Sequence, residues 1–139
     1  MSMGFHETIL VVVVTVGLSG CDLGATSQQA TSTQKSPSGK YFLSVPIEEQ
    51  TTDPNYEGTK VWKVTISDSE GKVVYKDEDS TMVGNLKIYW GWDQSDRVWV
   101  YNSDDGAIWR FEREPNGWKK VRSKKNDGIP EGILPDYAR

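Results

Sequence analysis

The two residue types most often used in nucleophilic and zinc chemistry each occur once, near the amino terminus. His6 is the only histidine and Cys21 the only cysteine among the 139 residues. After Cys21, a Ser-His-Asp or Cys-His arrangement is impossible, and so is a zinc site built on histidine or cysteine. A glycosidase-type carboxylate pair stays open, but most of the acidic residues lie in turn sequences. The sequence predicts a protein that is not an enzyme and needs no cofactor.

Three acidic loop sequences offer the oxygen ligands that calcium prefers. They are Asp77-Glu78-Asp79, Asp93 to Asp96, and Asn102 to Gly106. None has the spacing and the terminal glutamate of a dedicated calcium loop, and Asp and Asn in β-turns normally bond their own backbone. We therefore predict tight turns at these places and no metal site.

An apolar segment stands directly in front of the lone cysteine. Residues 9–18 are almost wholly apolar. As a helix they would cover about 15 Å, half of the roughly 30 Å of hydrocarbon in a bilayer, which is typical of a signal-peptide h-region. Leu18-Ser19-Gly20-Cys21 follows at once and resembles the lipobox of bacterial lipoproteins. The alternative is a buried apolar segment that happens to end in a cysteine.

The lipobox resemblance implies how the chain is processed and where it resides. Residues 1–20 are removed as a signal peptide, Cys21 receives a diacylglycerol, and acyl chains such as palmitate anchor the protein in a membrane. The protein is then exported and membrane-anchored in the cell envelope, with the inner and the outer membrane both open. Removing Glu7, the only charged side chain of the leader apart from His6, changes the formal net charge from −4 to −3, which gives no general case for nucleic-acid binding.

The chain after Cys21 divides into a tether, a β domain and a tail. Residues 21–38 are rich in Ser, Thr, Gln, Ala and Gly and predict a flexible tether. Residues 39–125 alternate apolar and polar positions between short polar turns, many closed by glycine, and predict an antiparallel meander of about seven strands. Residues 126–139 predict an irregular tail whose apolar side chains pack back on the sheet.

Two short sequences in the β domain weakly resemble pieces of β-propeller blades. They are Ser36-Pro37-Ser38-Gly39-Lys40-Tyr41 and Asn102-Ser103-Asp104-Asp105-Gly106. A closed propeller needs at least four blades of about 40 residues, more than this chain supplies. The fold class is therefore all-β, a blade-like meander arranged as a small sandwich or an open barrel.

The alternation also predicts a core and a cluster of aromatic residues that could bind a partner. The inward positions on one register are Leu43, Val45, Trp62, Val64, Ile66, Val74, Leu86, Ile88, Val98, Val100 and Ile108. Large aromatic residues occur on both faces of the strand that contains Tyr89-Trp90-Gly91-Trp92. One interpretation is a partly exposed platform suited to a protein, peptide or glycan partner, formed by Trp90, Trp92, Trp99, Tyr101 and Trp109. The other is a core on both faces of that sheet.

A basic run, Lys119, Lys120, Arg122, Lys124 and Lys125, lies near the end of the β domain. It is typical of a solvated strand edge, and contact with anionic lipid is the alternative. Together these patterns predict a membrane-anchored, non-catalytic lipoprotein that binds an envelope protein or peptide. An immunity or inhibitor lipoprotein directed against an envelope toxin or hydrolase, and a glycan-binding or carbohydrate-acting protein, are the alternatives.

Overall fold

The computed structural model describes residues 26–27, 32–48, 60–79, 82–84 and 87–139. The predicted signal peptide and the predicted lipidation site, Cys21, lie outside the described residues. Twelve strands occur in the described part of the chain, and four of them have two residues. The strands are β1 (Thr26–Ser27), β2 (Gln34–Lys35), β3 (Tyr41–Ser44), β4 (Ile47–Glu48), β5 (Lys60–Trp62), β6 (Thr65–Asp68), β7 (Val73–Lys76), β8 (Val83–Gly84), β9 (Ile88–Trp92), β10 (Val98–Asn102), β11 (Ala107–Glu114) and β12 (Gly117–Ser123).

The first half of the domain forms one antiparallel meander, here called the amino-terminal meander. Its strands pair in the orders β2-β3-β6-β7 and β4-β5-β8. The two parts are continuous, because the backbone N–H of Lys63 donates to Pro46 O at 3.0 Å and that of Asp77 donates to Val64 O at 2.8 Å. β3 with β4, β6 with β5, and β7 with β8 therefore act as three long, interrupted strands beside β2.

The second half forms the carboxy-terminal meander, in which β9, β10, β11 and β12 pair antiparallel in chain order. β1 adds to the outer edge of β9, with Thr26 opposite Trp90 and Ser27 opposite Tyr89. Short polar turns connect these strands, and connections of this length force antiparallel neighbours. The predicted all-β, antiparallel meander fold is confirmed.

The turns owe their shape to side chains that bond their own backbone. Asp93 Oδ1 accepts hydrogen bonds from the backbone N–H groups of Ser95 and Arg97, at 2.9 and 3.1 Å. Asp68 caps the equivalent turn of the amino-terminal meander in the same way. Asp96 has a φ of 57°, the left-handed conformation that Asp and Asn tolerate better than other side chains. The predicted turn at Asp93 to Asp96 is confirmed, as is the one at Asn102 to Gly106, where the backbone N–H of Asp104 donates to Asn102 Oδ1 at 3.0 Å. Asp77-Glu78-Asp79 is not a turn of this kind, because the Asp77 carboxylate is paired with Lys120.

The two meanders pack face to face around one hydrophobic core. Its buried members come from both halves of the chain: Leu43, Val45, Trp62, Val64, Ile66, Met82, Ile88, Trp90, Trp92, Val98, Val100 and Phe111. Aromatic rings fill much of the space, which compensates for a modest number of aliphatic side chains. The arrangement is a small sandwich, one of the two architectures expected from the sequence.

A second core covers the outer face of the carboxy-terminal meander. Trp99, Tyr101 and Ile108 point away from the sandwich interior, and the tail lays Ile133 and Leu134 against them. The tail has two short 3-10 turns, Lys125–Asp127 and Asp136–Ala138, and is otherwise irregular. The tail is thus largely irregular, and its apolar residues pack on the sheet.

Two details differ from the sequence-based expectations. The ordered domain begins before Gly39, because β2 lies in the interval assigned to the tether and Trp92 Nε1 donates to Gln34 O at 3.1 Å. The register of the core also differs locally. Ile108 lies in the second core, and Val74 is only half-buried because the pairing of β6 and β7 shifts by one residue. Leu86 lies outside the described residues.

Candidate functional site

Four of the five aromatic residues predicted to form a binding platform are interior residues. The exposed fraction is 1% for Trp90, 2% for Trp92, 0% for Trp99 and 9% for Tyr101. Trp90 and Trp92 belong to the sandwich core, whereas Trp99 and Tyr101 belong to the core beneath the tail. The strand β9 is thus covered on both faces, and these four side chains form no exposed platform.

Trp99 also takes part in a buried polar network. Its Nε1–H donates to Asp93 Oδ2 at 2.8 Å, and Arg97 Nε donates to the same oxygen at 2.7 Å. Burial alone would raise the pKa of Asp93, but the hydrogen bonds from Trp99, Arg97 and Ser95 outweigh burial and hold the pKa below its usual range. This Trp–carboxylate pair lies in the interior, so it is not available to bind a glycan.

Trp109, the fifth predicted residue, is half-buried at the margin of the sandwich core. It lies on one face of the β11–β12 hairpin, where three successive cross-strand pairs each join an aromatic ring to a cation. The pairs are Trp109 with Arg122, Phe111 with Lys120, and Trp118 with Arg113. We call these six residues the hairpin face.

In the middle of the hairpin face, Lys120 forms ion pairs with Asp77 and Asp79. Lys120 Nζ lies 2.8 Å from Asp77 Oδ2 and 2.6 Å from Asp79 Oδ1. Burial raises the pKa of Asp77, and the hydrogen bond and charge of Lys120 oppose that rise. This ion pair joins the end of β7 to β12, so it links the two meanders at an edge of the sandwich.

Arginines occupy the two ends of the hairpin face. The Arg122 guanidinium lies 4.9 Å from the Trp109 ring centroid, and Arg113 lies 5.9 Å from that of Trp118. Both arginines are exposed, and neither forms an ion pair with a described residue. A guanidinium that packs over an aromatic ring can keep N–H donors available for a carboxylate or a phosphate.

The electrostatic surroundings of the two arginines differ. Arg113 stands between Glu112 and Glu114 in the sequence, near the turn of the hairpin. Arg122 is followed by Lys124 and Lys125, and all three are exposed. The Arg122 end of the hairpin face is therefore strongly positive, whereas the Arg113 end carries mixed charge.

Sequence reasoning named Trp109 and the basic run separately and did not bring them together. The signal that joins them is the turn at Glu114-Pro115-Asn116-Gly117, because a hairpin pairing Glu114 with Gly117 places Trp109 opposite Arg122. Because side chains alternate along a strand, Trp118, Lys120 and Arg122 of β12 then lie on the same face as Trp109.

The described residues contain no group of three or more His, Cys, Asp or Glu arranged to hold a metal ion. In the same part of the chain, no helix has the length and apolar character needed to cross a membrane. Comparison with protein-family models, curated proteins and solved structures finds no match to this chain.

Proposed function

We propose that this protein is a membrane-anchored envelope lipoprotein whose β domain binds a protein or peptide partner without catalysing a reaction. The anchor is supported by the apolar segment at residues 9–18 and by Leu18-Ser19-Gly20-Cys21 directly after it. A thioether-linked diacylglycerol and a further acyl chain on Cys21 together give stable attachment, where one chain alone would be reversible.

The binding role is supported by one observation above all. Trp109 is the predicted binding residue that keeps part of its surface outside the two cores, and two cations, Lys120 and Arg122, stack on its ring at 4.7 and 4.9 Å. Tryptophan and arginine are the residues most enriched among those that carry binding energy at protein interfaces. The Trp109 end of the hairpin face, with Lys120 and Arg122, is therefore the surface that we assign to the partner.

The anchor is tested by replacing Cys21 in the full chain produced in a bacterial host. We expect wild-type protein to lose residues 1–20, incorporate a labelled fatty acid and stay with the membrane fraction. Cys21→Ala should remain unprocessed and unlabelled, because the residue that is lipidated and then exposed by cleavage is gone. Intact-mass spectrometry and fatty-acid labelling read out both steps. A labelled Cys21→Ala chain would contradict the proposal.

The binding surface is tested by cross-linking the full chain in envelope preparations. We expect Trp109→Leu, which keeps apolar bulk at the margin of the core, to reduce capture of a defined partner about tenfold. The matched control is Tyr137→Ala, which removes an aromatic side chain that is 70% exposed and lies outside the hairpin face. Equal capture of the partner by wild type and by Trp109→Leu would contradict the assignment of the partner to the surface around Trp109.

A further inference from the structure

The last strand and the residues after it form a continuous cationic segment. Residues 118–126 contain five Lys or Arg side chains and no Asp or Glu, in a chain whose formal net charge is −4. Lys119, Arg122, Lys124 and Lys125 are exposed, but Lys119 is paired with Glu114 and Lys120 is paired with Asp77 and Asp79. The free positive charge therefore concentrates around Arg122 and the residues that follow it.

Arg122 is suited to be the anchor of this surface. The Trp109 ring supports its guanidinium from one side, and no described carboxylate accepts its N–H donors. A carboxylate can take two of these donors at once in a planar, bidentate pair. The neighbouring ring removes water from one side of that pair, which strengthens it.

The geometry of the sheet favours a protein partner over the anchoring membrane. Thr26 of β1 follows Cys21 by five residues, a stretch that spans at most about 18 Å. β1 and β12 stand at opposite ends of the five-stranded sheet, and four strand spacings separate them by about 19 Å. The proposed lipid attachment is thus tied to one edge of the sheet, and the cationic segment lies along the other.

We infer that the Arg122 end of the hairpin face binds an acidic segment of the partner protein, with a partner carboxylate paired to Arg122 beside Trp109. This inference rests on the proposed function and specifies the chemistry of the partner. Like-charge repulsion excludes a second copy of the same surface as the partner. The Arg113 end, where the charges are mixed, gives an acidic segment no net attraction.

The test uses anisotropy of a dye-labelled peptide of alternating Glu and Ser, titrated with the chain lacking residues 1–20 and carrying Cys21→Ser. This chain retains every described residue. We expect Arg122→Gln to weaken binding about tenfold, which lies between the small loss for an exposed ion pair and the larger loss for a buried one. Arg113→Gln is the matched control, because it removes an exposed, ring-stacked arginine from the other end of the hairpin face and should change binding less than twofold.

The outcomes separate this inference from the proposed function. Binding that weakens equally in Arg122→Gln and Arg113→Gln would overturn the inference, since only net charge would then matter. Binding to vesicles of anionic phospholipid with none to the Glu peptide would also overturn it and would assign the surface to lipid. A third outcome is that the chain binds neither the Glu peptide nor the vesicles while capture of the envelope partner still depends on Trp109. In that case the inference of an acidic partner segment is wrong, and the proposed binding function is retained.

Discussion

Lys120→Met is expected to lower the free energy of unfolding at neutral pH by about 3–5 kcal/mol, because it leaves a buried carboxylate without its cation. Asp77 is 1% exposed, and Lys120 is the cation paired with it at 2.8 Å. Urea unfolding followed by tryptophan fluorescence measures the loss. The double variant Asp77→Asn/Lys120→Met is expected to recover most of it, since it removes both charges together.

The pH dependence of Lys120→Met has a definite sign. Burial already raises the pKa of Asp77 above its unfolded value, and losing Lys120 raises it further. A carboxyl group whose pKa is higher in the folded state than in the unfolded state stabilises the folded protein when it is protonated. The free energy of unfolding therefore falls as pH rises through the folded pKa and the group ionises. The difference in the free energy of unfolding between wild type and Lys120→Met should therefore become smaller at acidic pH. A loss below about 1 kcal/mol at neutral pH, typical of a surface pair, would show that this ion pair is solvated.

Asp93→Ala is expected to cost about 3 kcal/mol, because a buried indole N–H and a guanidinium lose their acceptor. Asp93 accepts from Trp99 Nε1 and Arg97 Nε as well as from two backbone N–H groups of its own turn. Asp93→Asn keeps one oxygen for the turn and should cost less than Asp93→Ala. Thermal and urea unfolding of wild type, Asp93→Asn and Asp93→Ala under the same conditions measure their order of stability.

Asp93 has the opposite pH dependence from Asp77. Its folded pKa is below the unfolded value of about 3.9. Its contribution to stability is therefore complete above the unfolded pKa and is lost as pH falls through the folded pKa. The stability difference between wild type and Asp93→Asn should be constant near neutral pH and shrink below about pH 4. A difference that stays constant in acid would mean that the Asp93 charge plays no part.

The sequence predicts the fold well because its signals are local. Alternation on β10 and β11, and glycine or aspartate at the turns, define antiparallel hairpins without information from distant residues. The short strands at the amino-terminal side are different, since β2 pairs over two residues in a stretch whose composition resembles a linker. Nothing in Gln34-Lys35 reveals that pairing, because it depends on the edge that β3 presents.

The candidate site is less accessible to sequence reasoning, for a physical reason. Alternation shows that Trp99 and Val100 face opposite sides of a strand, but it does not show whether a second layer covers each side. The tail supplies that layer by placing Ile133 on the Trp99 side, and the amino-terminal meander supplies the other. Burial of four predicted binding residues is therefore a tertiary property.

The pairing of each strand in the carboxy-terminal meander with its neighbour in the chain affects how the domain reaches its folded state. Connections of a few residues close at a small entropic cost, and chains dominated by such near contacts fold faster than those that must first bring distant segments together. The hairpins of β9 to β12 can set their registers separately, leaving the face-to-face packing of the two meanders as the long-range step. For the exported lipoprotein proposed above, such a route lets the strands pair before the two apolar faces meet.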